Sequence, residues 1–390
     1  MMEDLSKYKG KEQGYFKHRL LEAYLERLFM IVGQHQRTIC YVDCFAGPWQ
    51  SKGDDLGDTS IAVSLNIIRK CRDGLSQMGH DVHFRALFVE EKKKSFIKLD
   101  NYLESREADG IETKAKHGEF HTLIPEILDW CGDDSFVFFF VDPTGWKNAI
   151  ELPTLVPLLE RPNSELLINF MYDFLSRTVP QEEFREDMER IFGLVPDTEG
   201  MEQKEREAHL VSLYRNNLKR VTPTGRERPR TACVKVLKPT EDRTLYHLVY
   251  LTGHPKGIVV FMEASDKLDL VQKKARALAK QDKRVEKSHQ FELFSADEHV
   301  TDERADMDLT EVKAYWLNLL ATEPRRFGIR ELADMLENTE WFPMDFQKAF
   351  GQLETEGLVK NFNSEKKRRS KFVHFDANHN DGELLAKVAP

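Results

Sequence analysis

The sequence predicts an α/β fold: a seven-stranded, mostly parallel sheet wrapped by helices and closed by an antiparallel hairpin, with a small second domain behind it. Three observations predict this. Strand-like apolar runs alternate with helical stretches between residues 37 and 170, the pattern of a parallel sheet covered by helices. The run Phe136–Val141 is apolar without interruption, as a central strand buried on both faces requires. Residues 231–253 read as two strands joined by a polar turn through 239–244, an antiparallel hairpin.

The elements follow in order. Residues 16–33 place Leu20, Leu21, Tyr24, Leu25, Leu28 and Phe29 at helical spacing, so an amphipathic helix precedes the sheet. Strands are expected at 37–43, 82–90, 112–118, 135–142 and 165–170, with helices at 59–72, 92–105, 120–131 and 150–160 between them. Charged helical segments cover 181–192 and 202–220, and a long helix follows the hairpin from about 256 to 280. Helix signals at 309–321, 328–337 and 343–356, then LVKNF (358–362), a basic turn and FVHF (372–375), read as a winged-helix module. The expected division is 1–290 for the sheet domain, 291–308 for a linker, 309–378 for the winged helix and 379–390 for a tail.

Composition bounds the function. With 390 residues, 41% hydrophobic and 32% charged, the chain can bury a core and is neither collagen-like nor disordered. A net charge of -9 means that any nucleic-acid contact must come from local patches. The cysteines Cys40, Cys44, Cys71, Cys131 and Cys233 form no C-x-x-C pair, and an iron–sulfur spacing would need a cysteine where Gly47 stands. Neither a disulfide framework nor a metal site is expected. No apolar run of 18 residues occurs, so a cytoplasmic protein is expected.

Acidic residues end three of the strands. Asp43 closes the first and is followed by Cys44-Phe45-Ala46-Gly47, small enough for backbone to approach a nucleotide-like ligand while the carboxylate takes an ammonium or hydroxyl. A tight turn without a ligand fits the same residues. Glu90 ends the second strand, where it could bridge a ribose diol. Asp142 ends the fourth and is followed by Pro143, Thr144, Gly145 and Trp146. That loop either presents Asp142 to an amino group and Trp146 to a planar ring, or packs the Trp into the core. Open α/β sheets bind ligands at this carboxyl edge.

These segments resemble class I S-adenosylmethionine (SAM)-dependent methyltransferases, whose fold is Rossmann-like. DCFAGPW resembles the first SAM motif in its D-x-F-A-G form, and DPTGW resembles the D-P-P-aromatic motif of amino methyltransferases. KHRLLEAYLERL (17–28), YVDCFAGP (41–48), FVDPTGW (140–146) and YHLVYLTGHPKG (246–257) together resemble the three-Cys-motif partner family, TcmP. The resemblance implies SAM as cofactor. Asp43 would hold the methionine ammonium, Phe45, Ala46 and Gly47 the pocket floor, Glu90 the ribose, and Glu119 of the turn His117-Gly118-Glu119-Phe120 the adenine. Asp142, helped by the Pro143 carbonyl and the Trp146 ring, would orient an acceptor nitrogen. Two positions depart from the motifs: Trp49 stands where a second Gly is usual, and Thr144-Gly145 replaces the second Pro and the aromatic.

Basic residues gather in two places. Lys273, Lys274 and Arg276 open a run at 273–287 that could track phosphates or form a solvated helix face. Lys366, Lys367, Arg368, Arg369 and Lys371 lie on the expected wing tip, suited to a nucleic-acid backbone, a protein partner or solvent. The leading expectation is a SAM-dependent methyltransferase acting on DNA or RNA at an amino nitrogen. The other is an accessory protein with a degenerate methyltransferase fold, presenting nucleic acid to a radical-SAM-like three-Cys-motif partner.

Overall fold

The strand Phe136–Val141 is buried at every residue because it occupies the middle of a seven-stranded sheet. A computed structural model describes residues 12–47, 59–106, 110–288, 296, 300, 308–364 and 371–388. The chain divides into two compact units, residues 1–253 and 254–390.

In the first unit, α1 (Glu12–Val32) leads into β1 (Thr38–Asp43), α2 (Ser60–Gln77), β2 (His83–Glu90), α3 (Lys93–Glu104) and β3 (Glu112–His117). Then come α4 (Phe120–Cys131), β4 (Phe136–Val141), α5 (Leu152–Leu159) and β5 (Ser164–Phe170). Three further helices, α6 (Tyr172–Thr178), α7 (Arg185–Phe192) and α8 (Gln203–Leu218), precede β6 (Arg230–Leu237) and β7 (Thr244–Thr252). The strand order is β3-β2-β1-β4-β5-β7-β6. Pairing is parallel from β3 through β5, and β7 pairs antiparallel with both β5 and β6. This is the mostly parallel, Rossmann-like sheet with a terminal hairpin that the alternation predicts. The order reverses between β1 and β4, which opens a crevice at their carboxyl ends.

Register then sets which side chains meet there. Asp43 lies opposite Phe88 of β2 and Phe140 of β4, and Glu90 lies opposite His117 of β3. The turn after β1 is tied to its neighbours on both sides: Cys44 N–H donates to Phe140 O at 2.9 Å and Ala46 N–H to Val89 O at 2.8 Å. Helix α6 was not foreseen, because Tyr172–Thr178 is a seven-residue helix, too short for an apolar period to show.

The second unit begins with α9 (Pro255–Ser288), followed by α10 (Thr310–Leu319), β8 (Arg325–Phe327), α11 (Ile329–Glu337), α12 (Pro343–Thr355), β9 (Val359–Asn361) and β10 (Glu383–Lys387). Its sheet has the order β8-β10-β9, all antiparallel. Trp316 is fully buried at its centre, ringed by Phe327, Phe346, Phe350 and Phe375, and its indole N–H donates to Phe346 O at 3.0 Å.

Two expectations change here. Helix α9 packs on α11 and α12, so it belongs with the C-terminal unit instead of closing the sheet domain near residue 290. FVHF (372–375) is not a strand: Gln347 accepts from the N–H groups of Phe372 and Val373, Asn361 donates to Phe372 O, and the Glu383 carboxylate accepts from His374 N–H. With its backbone satisfied by side chains, that segment leaves the ladder to β10, which lies in the expected tail. Gly382 makes the entry to β10, with φ +74 and an ideal Cβ only 1.7 Å from Phe327 O. Among the described residues no helix is long and apolar enough to cross a membrane.

Candidate functional site

Asp43 organises the turn that follows it. Its Oδ1 accepts from Phe45 N–H at 3.1 Å and its Oδ2 from the Ser60 hydroxyl at 3.0 Å, so the carboxylate joins the end of β1 to the start of α2. Thr59 caps that helix by accepting from Ala62 N–H. Asp43 has no exposed surface, and burial pushes its pKa up to about 7, against the opposing Phe45 N–H. It forms no part of either cavity wall described below. Both carboxylate oxygens thus shape the loop that borders the first cavity.

Beside it, a cavity of about 300 Å³ opens at the carboxyl ends of β1, β2 and β4. Phe45, Gly47, Glu90, Glu119 and Asp142 all line it, so the structure brings together five of the sequence candidates. Ala46 is buried behind the wall. The Glu90 carboxylate lies against Gly47: an ideal Cβ there would stand 1.5 Å from Glu90 Oε2. Glu90 is 5% exposed; Oε1 accepts from Lys92 N–H at 2.7 Å, and Oε2 has no hydrogen-bond partner among the described residues. A buried acceptor left over at a crevice is an exception to the rule that buried polar atoms are paired. The Phe45 ring rests 5.2 Å from that of Phe120 as an apolar floor, and Glu119 stands exposed at the start of α4, 3.4 Å from His121 Nδ1. Trp49 lies outside the described residues.

Asp142 follows β4 and is engaged at both oxygens. Lys17 of α1 forms an ion pair with Oδ2, and Asn169 Nδ2 of β5 donates to Oδ1 at 2.8 Å. Lys17 Nζ also lies 5.9 Å from the Tyr246 ring centroid. A second cavity, of about 320 Å³, lies on the β5 side and shares Thr144 with the first. Both volumes fall at the lower end of small-molecule sites, roughly 300–1,000 Å³.

Trp146 corrects the sequence reading. It is 3% exposed, meets Phe184 edge-on at 5.8 Å and belongs to the apolar core with Ile150, Leu155 and Leu175, so its ring cannot stack on an acceptor. Pro143 is buried and lines neither cavity. Among the described residues no cluster of His, Cys, Asp and Glu could hold a metal ion. No cysteine is in a disulfide.

Of the basic candidates, Lys273, Lys274 and Arg276 are half-buried on α9, and Lys273 pairs with Asp269 at 3.2 Å. Lys371 is exposed in the loop between β9 and β10. Lys366, Lys367, Arg368 and Arg369 lie outside the described residues. Sequence reasoning missed Lys17, Ser60 and Asn169 as site residues. Asn169 carried a usable signal, a polar residue inside the apolar run Leu166–Phe170; Lys17 and Ser60 carried none, because ordinary helix positions hold such residues.

No protein-family model matches the chain, and no curated protein matches it. Solved structures that match include an O-methyltransferase from Bacillus cereus in complex with SAH, at 12% identity over 60% of this chain and 80% of that one, with a TM-score of 0.32. The O-methyltransferase TomG from Streptomyces achromogenes, in complex with SAM, matches at 12% identity over 65% and 92%, with a TM-score of 0.33. A precorrin-6y C5,15-methyltransferase from Geobacter metallireducens GS-15 matches at 15% identity over 59% and 87%, with a TM-score of 0.24. Likeness at this level bears no weight; the fold assignment rests on strand order and register, and the site on its own geometry.

Proposed function

We propose that the first unit is a SAM-dependent methyltransferase of the TcmP type, acting on nucleic acid at an amino nitrogen. The observation that carries the reading is the Glu90 carboxylate packed against Gly47, one buried oxygen of which has no partner among the described residues at the edge where the strand order reverses. SAM, when bound, supplies an electrophilic methyl group on a sulfonium sulfur. Glu90 Oε2 accepts from a ribose hydroxyl, Phe45 and Phe120 bound the ring, and Glu119 accepts from the adenine amino group. Asp43 holds the turn in place. The second cavity adjoins at Thr144 and holds the acceptor, so catalysis consists mostly of positioning.

The second unit supports nucleic-acid contact. Three helices, the sheet order β8-β10-β9 and a basic loop between β9 and β10 fit a winged helix. Lys366, Lys367, Arg368 and Arg369 would then meet phosphates. Replacing these four by Ala should flatten the salt dependence of DNA or RNA binding, by a slope of roughly one per lost contact; an unchanged slope removes the wing from the interface.

A second reading has its own observation. Asp142 is already engaged at both oxygens, which favours an accessory protein that binds SAM without transferring its methyl group and works with a radical-SAM-like three-Cys-motif partner. Calorimetry with SAM and S-adenosylhomocysteine on wild type and Glu90→Gln decides the cofactor, with at least about a tenfold weakening expected in the variant. No heat from wild type with either ligand ends the enzyme reading. Binding without methyl incorporation into DNA or RNA favours the accessory one.

A further inference from the structure

We infer that Asn169, instead of Asp142, is the residue that reads the acceptor, and that the second cavity takes a planar heteroaromatic amine through an N–H to Asn169 Oδ1. The inference deepens the methyltransferase reading and rests on it for the word acceptor.

The assignment begins with hydrogen-bond bookkeeping. An ionised carboxylate only accepts, so the Asn169 amide must turn its NH₂ toward Asp142, as the 2.8 Å contact shows. Its carbonyl oxygen then faces the other way. Asn169 is 6% exposed, and Oδ1 is buried with no hydrogen-bond partner among the described residues. Native structures seldom leave such an atom unsatisfied, and a functional role is one reason when they do.

The surroundings give the ligand its class. Asn169 forms the cavity wall together with Met171, Phe174, Arg177, Leu245 and Tyr246. Phe174 is 48% exposed, high for a large apolar residue, and the Arg177 guanidinium lies 5.9 Å from its ring centroid. An exposed aromatic face beside a guanidinium suits a flat, electron-rich ring. The orphan atom that the described residues place on this wall is an acceptor, so the ring must carry a donor. Asp142 is fixed by Lys17 on its far oxygen, which holds the amide in this orientation and makes Asp142 a positioning residue. Thr144, common to both cavities, places the bound amine beside the first one.

The test uses the full chain saturated with S-adenosylhomocysteine, titrated with cytidine and with the cytidine analogue that lacks the 4-amino group. Wild type should prefer cytidine by at least about tenfold, because a site built around a hydrogen bond rejects the partner that lacks it. Asn169→Leu should erase that preference, and Phe174→Ala should weaken both nucleosides alike. Equal binding of the two by wild type, no binding of either at millimolar concentration, or a preference that survives in Asn169→Leu overturns the inference. Should Asn169→Leu fail to fold, Asn169→Ala carries the same arm. A wild-type cytidine preference without S-adenosylhomocysteine binding supports the pocket and overturns only the methyltransferase reading.

Discussion

Glu90 occupies the space in which a side chain at Gly47 would begin, with its Oε2 1.5 Å from an ideal Cβ. The two residues sit on different strands' exits, and both line the first cavity.

Gly47→Ala should therefore act through Glu90. The carboxylate must move, and the expected result is SAM affinity lowered by more than about tenfold, near 1.4 kcal/mol, read by calorimetry. Gly253→Ala, where the added carbon meets nothing within 4 Å, should leave affinity unchanged. Equal affinity in both variants would separate Glu90 from the cofactor.

Asp43 links stability to pH. Burial raises its pKa from 3.8 to about 7 in the folded chain. As pH rises from 3.8 toward 7, the unfolded chain releases a proton that the folded chain keeps, so this group lowers stability across that window and levels off above it. Asn at this position can accept from Phe45 N–H and donate to Ser60 without charge. Asp43→Asn should be more stable than wild type at pH 8, by on the order of a few kcal/mol, with the gap closing below pH 4 in urea titrations.

Glu207 predicts the opposite slope, and its partner His247 the same sign as Asp43. Glu207 Oε1 lies 3.0 Å from His247 Nε2 and accepts from the Thr244 hydroxyl at 2.8 Å. Burial works to raise Glu207, yet His247 and Thr244 bring it to about 2, while hydrogen bonds to Cys233 and Glu207 raise His247 against its burial. The Glu207 contribution is present above 4.5 and is lost as pH falls toward 2; that of His247 is complete below 6.5 and is lost as pH rises through its folded value. Glu207→Gln should cost about 3 kcal/mol at pH 5.5 and flatten the acid limb of the stability curve. An unchanged acid limb would place the acid sensitivity elsewhere.

Trp146→Ala tests the core assignment. Removing a buried indole should cost about 3–5 kcal/mol in thermal or chemical unfolding, while Trp146→Phe, which keeps a ring against Phe184, should cost less. Cytidine affinity should be unchanged in Trp146→Phe. A specific loss of affinity with little loss of stability would return the ring to the acceptor site.

The sheet was legible because its causes are local. Period and length mark each strand and helix, and β4, six apolar residues in a row, announces its own central place. The acid-tipped strands were legible too, since a strand's end fixes its edge: Glu90 and Asp142 reach the cavity where the sequence puts them. Strand β10 was missed because FVHF has strand composition, whereas Gln347, 25 residues away in sequence from Phe372, decides that its backbone bonds sideways.

The residues themselves thus determined the α/β class and the carboxylates at the carboxyl edge of the sheet. Tertiary structure alone decided which atoms are available there. Asp43 is sealed by Ser60, Asp142 is held by Lys17 from a helix 125 residues earlier, Trp146 turns into the core, and the Asn169 carbonyl finds no partner among the described residues. The physical reason is that a polar atom's role depends on which partners packing delivers to it, and those partners come from distant parts of the chain.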